Sequence, residues 1–306
     1  MTPNHLLIDG HAMMFRAFYG AGKTLSAHHP ETEEDLSMVY AFGLIILQAL
    51  EQLRPNHIMV AFDRAEKTFR HEADTDYKAQ RGKAPDVFFA QVPHCQEMLE
   101  QMHIPTASLA GYEADDIIGT LALRSAALGN QVEILSHDLD YTQLVSQQIT
   151  LCRPGKRQQI ERITPAEVVA RYGLPPEQMV DYKALIGDSS DNYKGIEGIG
   201  PKAAKQLLER YGSITQLLSQ LETLPEKWRK KIAPQVDSLL HCQHLAAIHT
   251  DVPLDYTFTP YDPTGATASS FFMLMGFPSL YRRWEKYLQL GEQPLPPPPA
   301  EQPSLF

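Results

Sequence analysis

The sequence holds only three cysteines, Cys95, Cys152 and Cys242, far apart and with no C-x-x-C pair. Such sparse thiols exclude a disulfide framework and a cysteine-rich zinc site, and they fit a reducing compartment. The twelve histidines are not gathered into an H-E-x-x-H motif, which removes zinc chemistry of the metalloprotease kind. Long apolar runs are missing as well: the longest, around Ala41 to Leu50, is too short to span a bilayer. No secretory pattern precedes Leu6-Leu7-Ile8, so the expectation is a cytoplasmic protein. Basic residues are in deficit, giving a net charge of −10. That balance argues against a nucleic-acid partner, whose phosphates call for cations. A cluster of metal-binding carboxylates would inflate the acidic count, however, so the local distribution decides.

What is present is 306 residues with 43% hydrophobic side chains, enough for one large α/β domain or for a core with a smaller helical appendage. Short apolar runs predict strands at His5–Ile8, His57–Phe62, Thr106–Leu109, Val132–Ser136 and Ile149–Cys152. Helical patterns near Leu36–Leu53, Phe88–Met102 and Glu113–Leu128 fall between them. The alternation predicts a mainly parallel sheet covered by helices, with ligands at the carboxyl ends of the strands. The segment from Arg64 to Pro93 is polar and carries Lys67, Arg70, Lys78, Arg81 and Lys83, which reads as a functional loop or lid. From Thr164 the chain turns helical, opened by Thr164-Pro165-Ala166-Glu167 with its N-cap, first-turn proline and capping-box glutamate. The expected division is therefore 1–163, 164–290 and a proline-rich tail over 291–306.

Acidic residues fall where such a sheet binds ligands. Asp9 and Asp63 end strands, Glu113-Ala114-Asp115-Asp116 opens a helix, Asp138-Leu139-Asp140 follows the fourth strand, and Gly187-Asp188-Ser189-Ser190-Asp191-Asn192 comes later. Singly, each has a plainer reading as a helix cap or turn residue. Together, their crowding would be mutually repulsive unless dications were bound. Hard cations such as Mg²⁺ take oxygen ligands, and a pair of them about 4 Å apart suits phosphodiester hydrolysis.

Gly195-Ile196-Glu197-Gly198-Ile199-Gly200 breaks the helical pattern before Pro201–Tyr211, which carries Lys202 and Lys205. A glycine turn at a helix start suits sequence-independent phosphate binding, the plainer reading being a helix-helix connection. Arg16, beyond the first strand end, and Lys78 are expected at the scissile phosphate. Arg70 and Arg81 are expected on DNA, with Tyr77 stacking on a base.

Ile8-Asp9-Gly10, Phe15-Arg16-Ala17-Phe18, Phe62-Asp63, Phe69-Arg70-His71-Glu72, Tyr77-Lys78 and Gly111-Tyr112-Glu113-Ala114-Asp115-Asp116 occur in that order. With Gly187–Asn192 and the glycine turn, this set resembles the 5′-nuclease domain of bacterial DNA polymerase I and its flap-endonuclease relatives, over roughly residues 4 to 288. The resemblance implies a PIN-like core, a helical arch at about 64–93, and a helix-hairpin-helix at about 185–211 able to hold a monovalent cation, K⁺. It implies two or three Mg²⁺ or Mn²⁺ ions, one held by Asp9, Asp63, Glu113, Asp115, Asp116 and Asp138, and a second by Asp140, Asp188 and Asp191. It also implies removal of 5′ flaps and RNA primers during replication and repair. Ser136-His137-Asp138-Leu139-Asp140 departs from the family's Thr-x-Asp-Lys-Asp by lacking the lysine, and 21–36 is unusual too.

A free-standing nuclease is the simpler expectation. The terminal Gln302-Pro303-Ser304-Leu305-Phe306 resembles a sliding-clamp docking peptide, with Gln302, Leu305 and Phe306 as its contacts. Rival readings are a PIN-type ribonuclease, a non-catalytic DNA-binding module, and a phosphatase with Asp9 as nucleophile. The last is disfavoured because His11 stands where a second Asp is usual.

Overall fold

The computed structural model describes residues 4–20, 25–155 and 159–291. Gln302, Leu305 and Phe306 of the expected docking peptide lie outside the described residues.

The first half builds a six-stranded sheet from β1 (Asn4–Asp9), β2 (His57–Ala61), β3 (Thr106–Ala107), β4 (Gln131–Leu135), β5 (Ile149–Pro154) and β6 (Ile160–Ile163), in the order β3-β2-β1-β4-β5-β6. The first five are parallel, and only β6 runs antiparallel, against β5. Helices α1 (Gly10–Tyr19), α2 (Ser37–Leu53), α3 (Phe69–Ala73), α4 (Asp86–Gln101) and α5 (Ala114–Ala127) connect them. Alternation along the strands explains the two-sided cover. Leu6, Ile8, Ile58 and Val60 enter one core with α1, α2 and α4, whereas Leu7, Met59 and Ala61 enter another with α5. Both faces are buried, so the strands read as continuous apolar runs. The expected strand at Thr106–Leu109 is only two residues long, and β6 was not expected.

The second half is helical: α6 (Pro165–Tyr172), α7 (Met179–Ile186), a small hairpin of β7 (Gly187–Asp188) and β8 (Tyr193–Lys194), α8 (Pro201–Tyr211), α9 (Ile214–Ser219), α10 (Glu226–Ile232), α11 (Val236–Ala246), α12 (Ala268–Leu274) and α13 (Pro278–Gly291). The capping box at Thr164 and Glu167 forms as expected. Residues of α7 to α11 share a third core, to which Tyr77 also belongs, while α12 and α13 return to the first core with Phe272 and Trp284.

The segment 64–93 is more ordered than the loop or lid its polarity suggests. It contains α3 and the start of α4, and Arg70, Tyr77 and Phe88 are buried. Arg70 ties it down: its guanidinium donates to both oxygens of Asp116, to Glu113 Oε2, and to the carbonyls of Leu245 and Ala247. The planar fork matches this bidentate geometry as a lysine could not. Removing one partner of such a buried pair costs about 3–5 kcal/mol.

Candidate active site

Parallel strands place their carboxyl ends at one edge, and the acidic residues gather there. A cleft of about 110 Å³ is lined by Asp9, His11, Phe15, Asp63, Lys78, Arg81, Glu113, Asp115 and Asp138. Five of the six carboxylates expected for one ion therefore converge. The sixth, Asp116, does not: it is fully buried behind the cleft. It occupies the third position of α5 and caps the Glu113 backbone N–H at 3.0 Å, while its other contacts come from Arg70 and the His249 N–H. Its four accepted bonds make it the helix cap, which corrects its place in the ligand set. Glu113 and Asp116 do form a reciprocal capping pair, and Asp115 and Glu113 are the members that line the cleft.

The cleft carboxylates are unequally neutralised. Asp9 accepts from the Ala12 N–H at 2.9 Å, from Ser136 Oγ at 3.1 Å and from Tyr141 Oη at 3.3 Å. Burial, with Asp63 adding, still pushes its pKa up to about 7. Asp115 is raised well above the usual carboxylate range, mainly by burial, with Arg70 3.9 Å away pulling the other way. Its Oδ1 is buried with no hydrogen-bond partner. Asp63 accepts from the Ala114 N–H at 2.8 Å and donates its own N–H to His11 Nδ1 at 3.1 Å. Burial lowers the His11 pKa, so the ring is a neutral acceptor there. Glu113 is the exception. Burial raises its pKa, but Lys78 and Arg70 outweigh that and hold it below the ordinary value.

Lys78 delivers this charge through a backbone that few lysines adopt, at φ 55°. Its N–H is fixed to the Asp191 carbonyl at 2.9 Å, and Nζ reaches both Glu113 oxygens at 2.8 and 2.9 Å. A strained residue held by its surroundings is a mark of a functional position. Arg81 also lines the cleft, with a half-exposed side chain paired to Asp191 Oδ1 at 2.5 Å. Arg16 is exposed on α1 and lies near His137, whose pKa is driven to about 4 by burial, with Arg16 and Arg153 adding.

Two other expectations are corrected. Tyr77 cannot stack on a base, because it is 3% exposed and its hydroxyl donates to Glu113 and Asp191. Arg70 cannot reach DNA from its buried ion pairs, at 2% exposure. Both are apolar or ionic ties beneath the cleft.

The second carboxylate set has a different surrounding. Asp140 and Asp188 both bind Lys183 Nζ, the Asp188 contact at 2.7 Å. Burial, with Asp138 adding, raises Asp140 to about 7, whereas the Lys183 bond outweighs burial at Asp188 and takes it down to about 2. Asp191 is held by Arg81 and Tyr77. Lys183 was not foreseen; its signal is a cation one turn and a half before Asp188 on the preceding helix. Ser136, Tyr141 and His11 were also missed as partners of Asp9 and Asp63. Among the described residues, no three acidic, histidine or cysteine side chains close tightly enough on one point to enclose an ion. The carboxylates ring the cleft walls instead, as like charges do. An acceptor without a partner at Asp115, beside carboxyls pushed upward, is nevertheless a donor set that fits a hard dication.

The glycine turn sits between β8 and α8. Ile196 and Ile199 are buried, while Gly198 and Gly200 are exposed. A side chain at Gly195 would strike the Gly187 backbone nitrogen at 2.3 Å, and Gly198 has φ +79°, so neither position admits another residue without strain. Lys202 is exposed on α8; Lys205 is half-buried, 3.7 Å from Glu209.

A mainly parallel sheet with this acidic edge and a helical second half defines a class of nucleases. The chain matches the family models "5′-3′ exonuclease, N-terminal resolvase-like domain" over residues 4–173 and "5′-3′ exonuclease, C-terminal SAM fold" over residues 174–268. It belongs to the 5′-3′ exonuclease family. DNA polymerase I of Bacillus caldotenax is 36% identical over 300 residues, covering 96% of this chain and 34% of that protein. The thermostable DNA polymerase I of Thermus aquaticus is 37% identical over 298 residues, covering 96% and 35%. The chain thus spans about a third of the length of these curated relatives. Among solved structures, the bacteriophage T5 flap endonuclease with DNA and metal ions aligns with a TM-score of 0.66 at 20% identity, covering 95% of this chain and 100% of that one. The catalytic core of Rad2 with DNA substrate gives 0.57 at 16%, covering 94% and 91%. At such identities these two structures speak for the fold alone. No helix among the described residues is long and apolar enough to cross a membrane.

Proposed function

We propose that this nuclease hydrolyses phosphodiesters in branched or 5′-ended DNA, as a structure-specific 5′-3′ exonuclease and flap endonuclease of replication and repair. The observation that carries the reading is the convergence of Asp9, Asp63, Asp115 and Asp138 in one cleft, with a buried Asp115 oxygen that accepts no hydrogen bond. These four, with Glu113, would hold Mg²⁺ or Mn²⁺, which when bound supplies charge neutralisation at the phosphate and a water of lowered pKa. The chain's own residues do the rest. His11 and the Ala114 N–H orient Asp63, Ser136 and Tyr141 orient Asp9, and Lys78 and Arg81 bring positive charge to the cleft wall where a phosphate would enter. Arg16 would meet the same strand from α1.

A helix-hairpin-helix is proposed for α7, the glycine turn and α8, tracking duplex phosphates without reading bases, with K⁺ as its monovalent ion. Docking of a sliding clamp on Gln302, Leu305 and Phe306 belongs to the same proposal and rests on sequence pattern alone.

The test is a 5′-labelled DNA flap beside matched single strands, blunt duplex and an RNA flap, each with Mg²⁺, Mn²⁺ or EDTA. The expected result is cutting of the DNA flap near the junction, abolished by EDTA and weak on single strands. Preference for RNA without a duplex would make the chain a PIN-type ribonuclease instead. Metal-dependent binding with no cleavage would leave only a binding module.

A further inference from the structure

In an acidic chain, the densest basic stretch is one that the active site does not use: Lys227, Arg229, Lys230 and Lys231 within α10. Two of these cations are already engaged. Lys230 pairs with Glu226 at 2.6 Å, and Arg229 donates to the Glu222 carbonyl at 3.0 Å. Lys227 and Lys231, one helical turn apart, are paired with no carboxylate among the described residues. Their Nζ atoms lie 4.5 and 5.8 Å from the centre of the Trp228 ring, which attracts both ammonium groups.

The helix abuts the glycine turn. Lys231 Nζ donates to the Gly198 carbonyl at 2.6 Å, and Gln235 Oε1, just beyond α10, accepts the Glu197 N–H at 3.1 Å. A Cβ at Gly198 would meet Lys231 Nζ at 2.9 Å, so the glycine that supplies the positive φ also admits the lysine. Turn and helix are therefore a single surface, exposed at Gly198, Gly200, Lys202 and Lys227.

We propose that α10 extends the phosphate-tracking surface beyond the glycine turn, with Lys227 and Lys231 binding the backbone of duplex DNA. This rests on the reading of the chain as a DNA nuclease. The turn alone offers backbone groups to one stretch of phosphates; the two lysines add point charges alongside it, without base recognition. Of the nearby acids, Glu197 is exposed on the turn and Glu226, exposed on α10, is paired with Lys230.

The experiment measures affinity for a fluorescent DNA duplex bearing a 5′ flap across a salt series in EDTA, where no cleavage occurs. Lys227→Gln and Lys231→Gln are compared with the unsubstituted chain and with Lys286→Gln on α13. Each phosphate contact contributes about 0.9 to the slope of log affinity against log salt. Each α10 substitution should lower the slope by about one and weaken binding severalfold, with Lys286→Gln unchanged. Trp228 emission should also change on duplex addition, and that change should vanish in Trp228→Phe. Lys227→Gln is decisive because Lys227 makes no bond to the turn: an unaltered slope in that variant overturns the proposal, even if Lys231→Gln weakens binding by loosening Gly198. Failure of the underlying reading is distinguishable, since the unsubstituted chain would then show no salt-dependent duplex binding at all.

Discussion

Two acidic regions lie side by side in this molecule and are handled in opposite ways. Around Asp140, Asp188 and Asp191 the protein supplies its own countercharge, from Lys183 and Arg81. In the cleft of Asp9, Asp63, Asp115 and Asp138, internal cations bond Glu113 directly but come no closer to Asp115 Oδ1 than Arg70 at 3.9 Å, leaving that oxygen without a hydrogen bond and Asp9 raised to about 7. Crowded, partly buried carboxylates without close cations are costly to ionise, so the second arrangement is the one a bound dication would relieve most. The difference separates a region with direct lysine and arginine contacts to its carboxylates, although Asp140 is still raised to about 7, from one whose Asp9, Asp63, Asp115 and Asp138 have no such contact at hydrogen-bond distance, and metal affinity should follow the same division.

The largest effect that would break this comparison lies in cleavage. Asp115→Asn should lower DNA-flap cutting in Mg²⁺ by on the order of 10³, because several kcal/mol of charge stabilisation are lost. Asp188→Asn, with Lys183 beside it, should cost clearly less when both are assayed under single-turnover conditions. Equal losses would mean that the two regions act as one. A smaller effect concerns Lys183 itself. An ammonium between Asp140 and Asp188 competes with any dication for them, and at an effective dielectric constant of 20 a unit charge about 4 Å away is worth about 4 kcal/mol before screening. Lys183→Met should therefore tighten any Mn²⁺ binding at Asp140 and Asp188 by about tenfold, read by paramagnetic titration. Weaker binding in that variant would make Lys183 an orienting residue for the two carboxylates.

Much of the cleft was legible in the sequence because parallel topology does the gathering. Once Leu6–Ile8, Ile58–Val60 and Val132–Leu135 are read as adjacent strands, Asp9, Asp63 and Asp138 must share an edge. What the sequence did not reveal was orientation. Asp115 and Asp116 are neighbours, and only the capping of Glu113 by Asp116 turns one carboxylate inward and the other into the cleft. The basic segment 64–93 misled for a similar reason. Charge along the chain suggests solvent, yet Arg70 and Tyr77 are buried because acidic partners from α5 and from the turn at Asp191 stand ready to receive them. Lys183 was missed because its partners are split between its own helix end and a loop over forty residues away. Short β6 carries too little alternation to announce a strand.

The cleft carries five carboxylates against two cations, Lys78 and Arg81, and should bind a dication to balance them. Calorimetric titration of the metal-free protein with Mg²⁺, repeated in buffers of different ionisation heat, measures that binding directly. Asp9, with its pKa near 7, holds a proton in the metal-free protein below that pH and must lose it when a dication binds. Proton release should accordingly be larger at pH 6 than at pH 8, and accompanied by affinity that rises with pH over this range. Binding that releases no proton at pH 6, with affinity indifferent to pH, would contradict the claim.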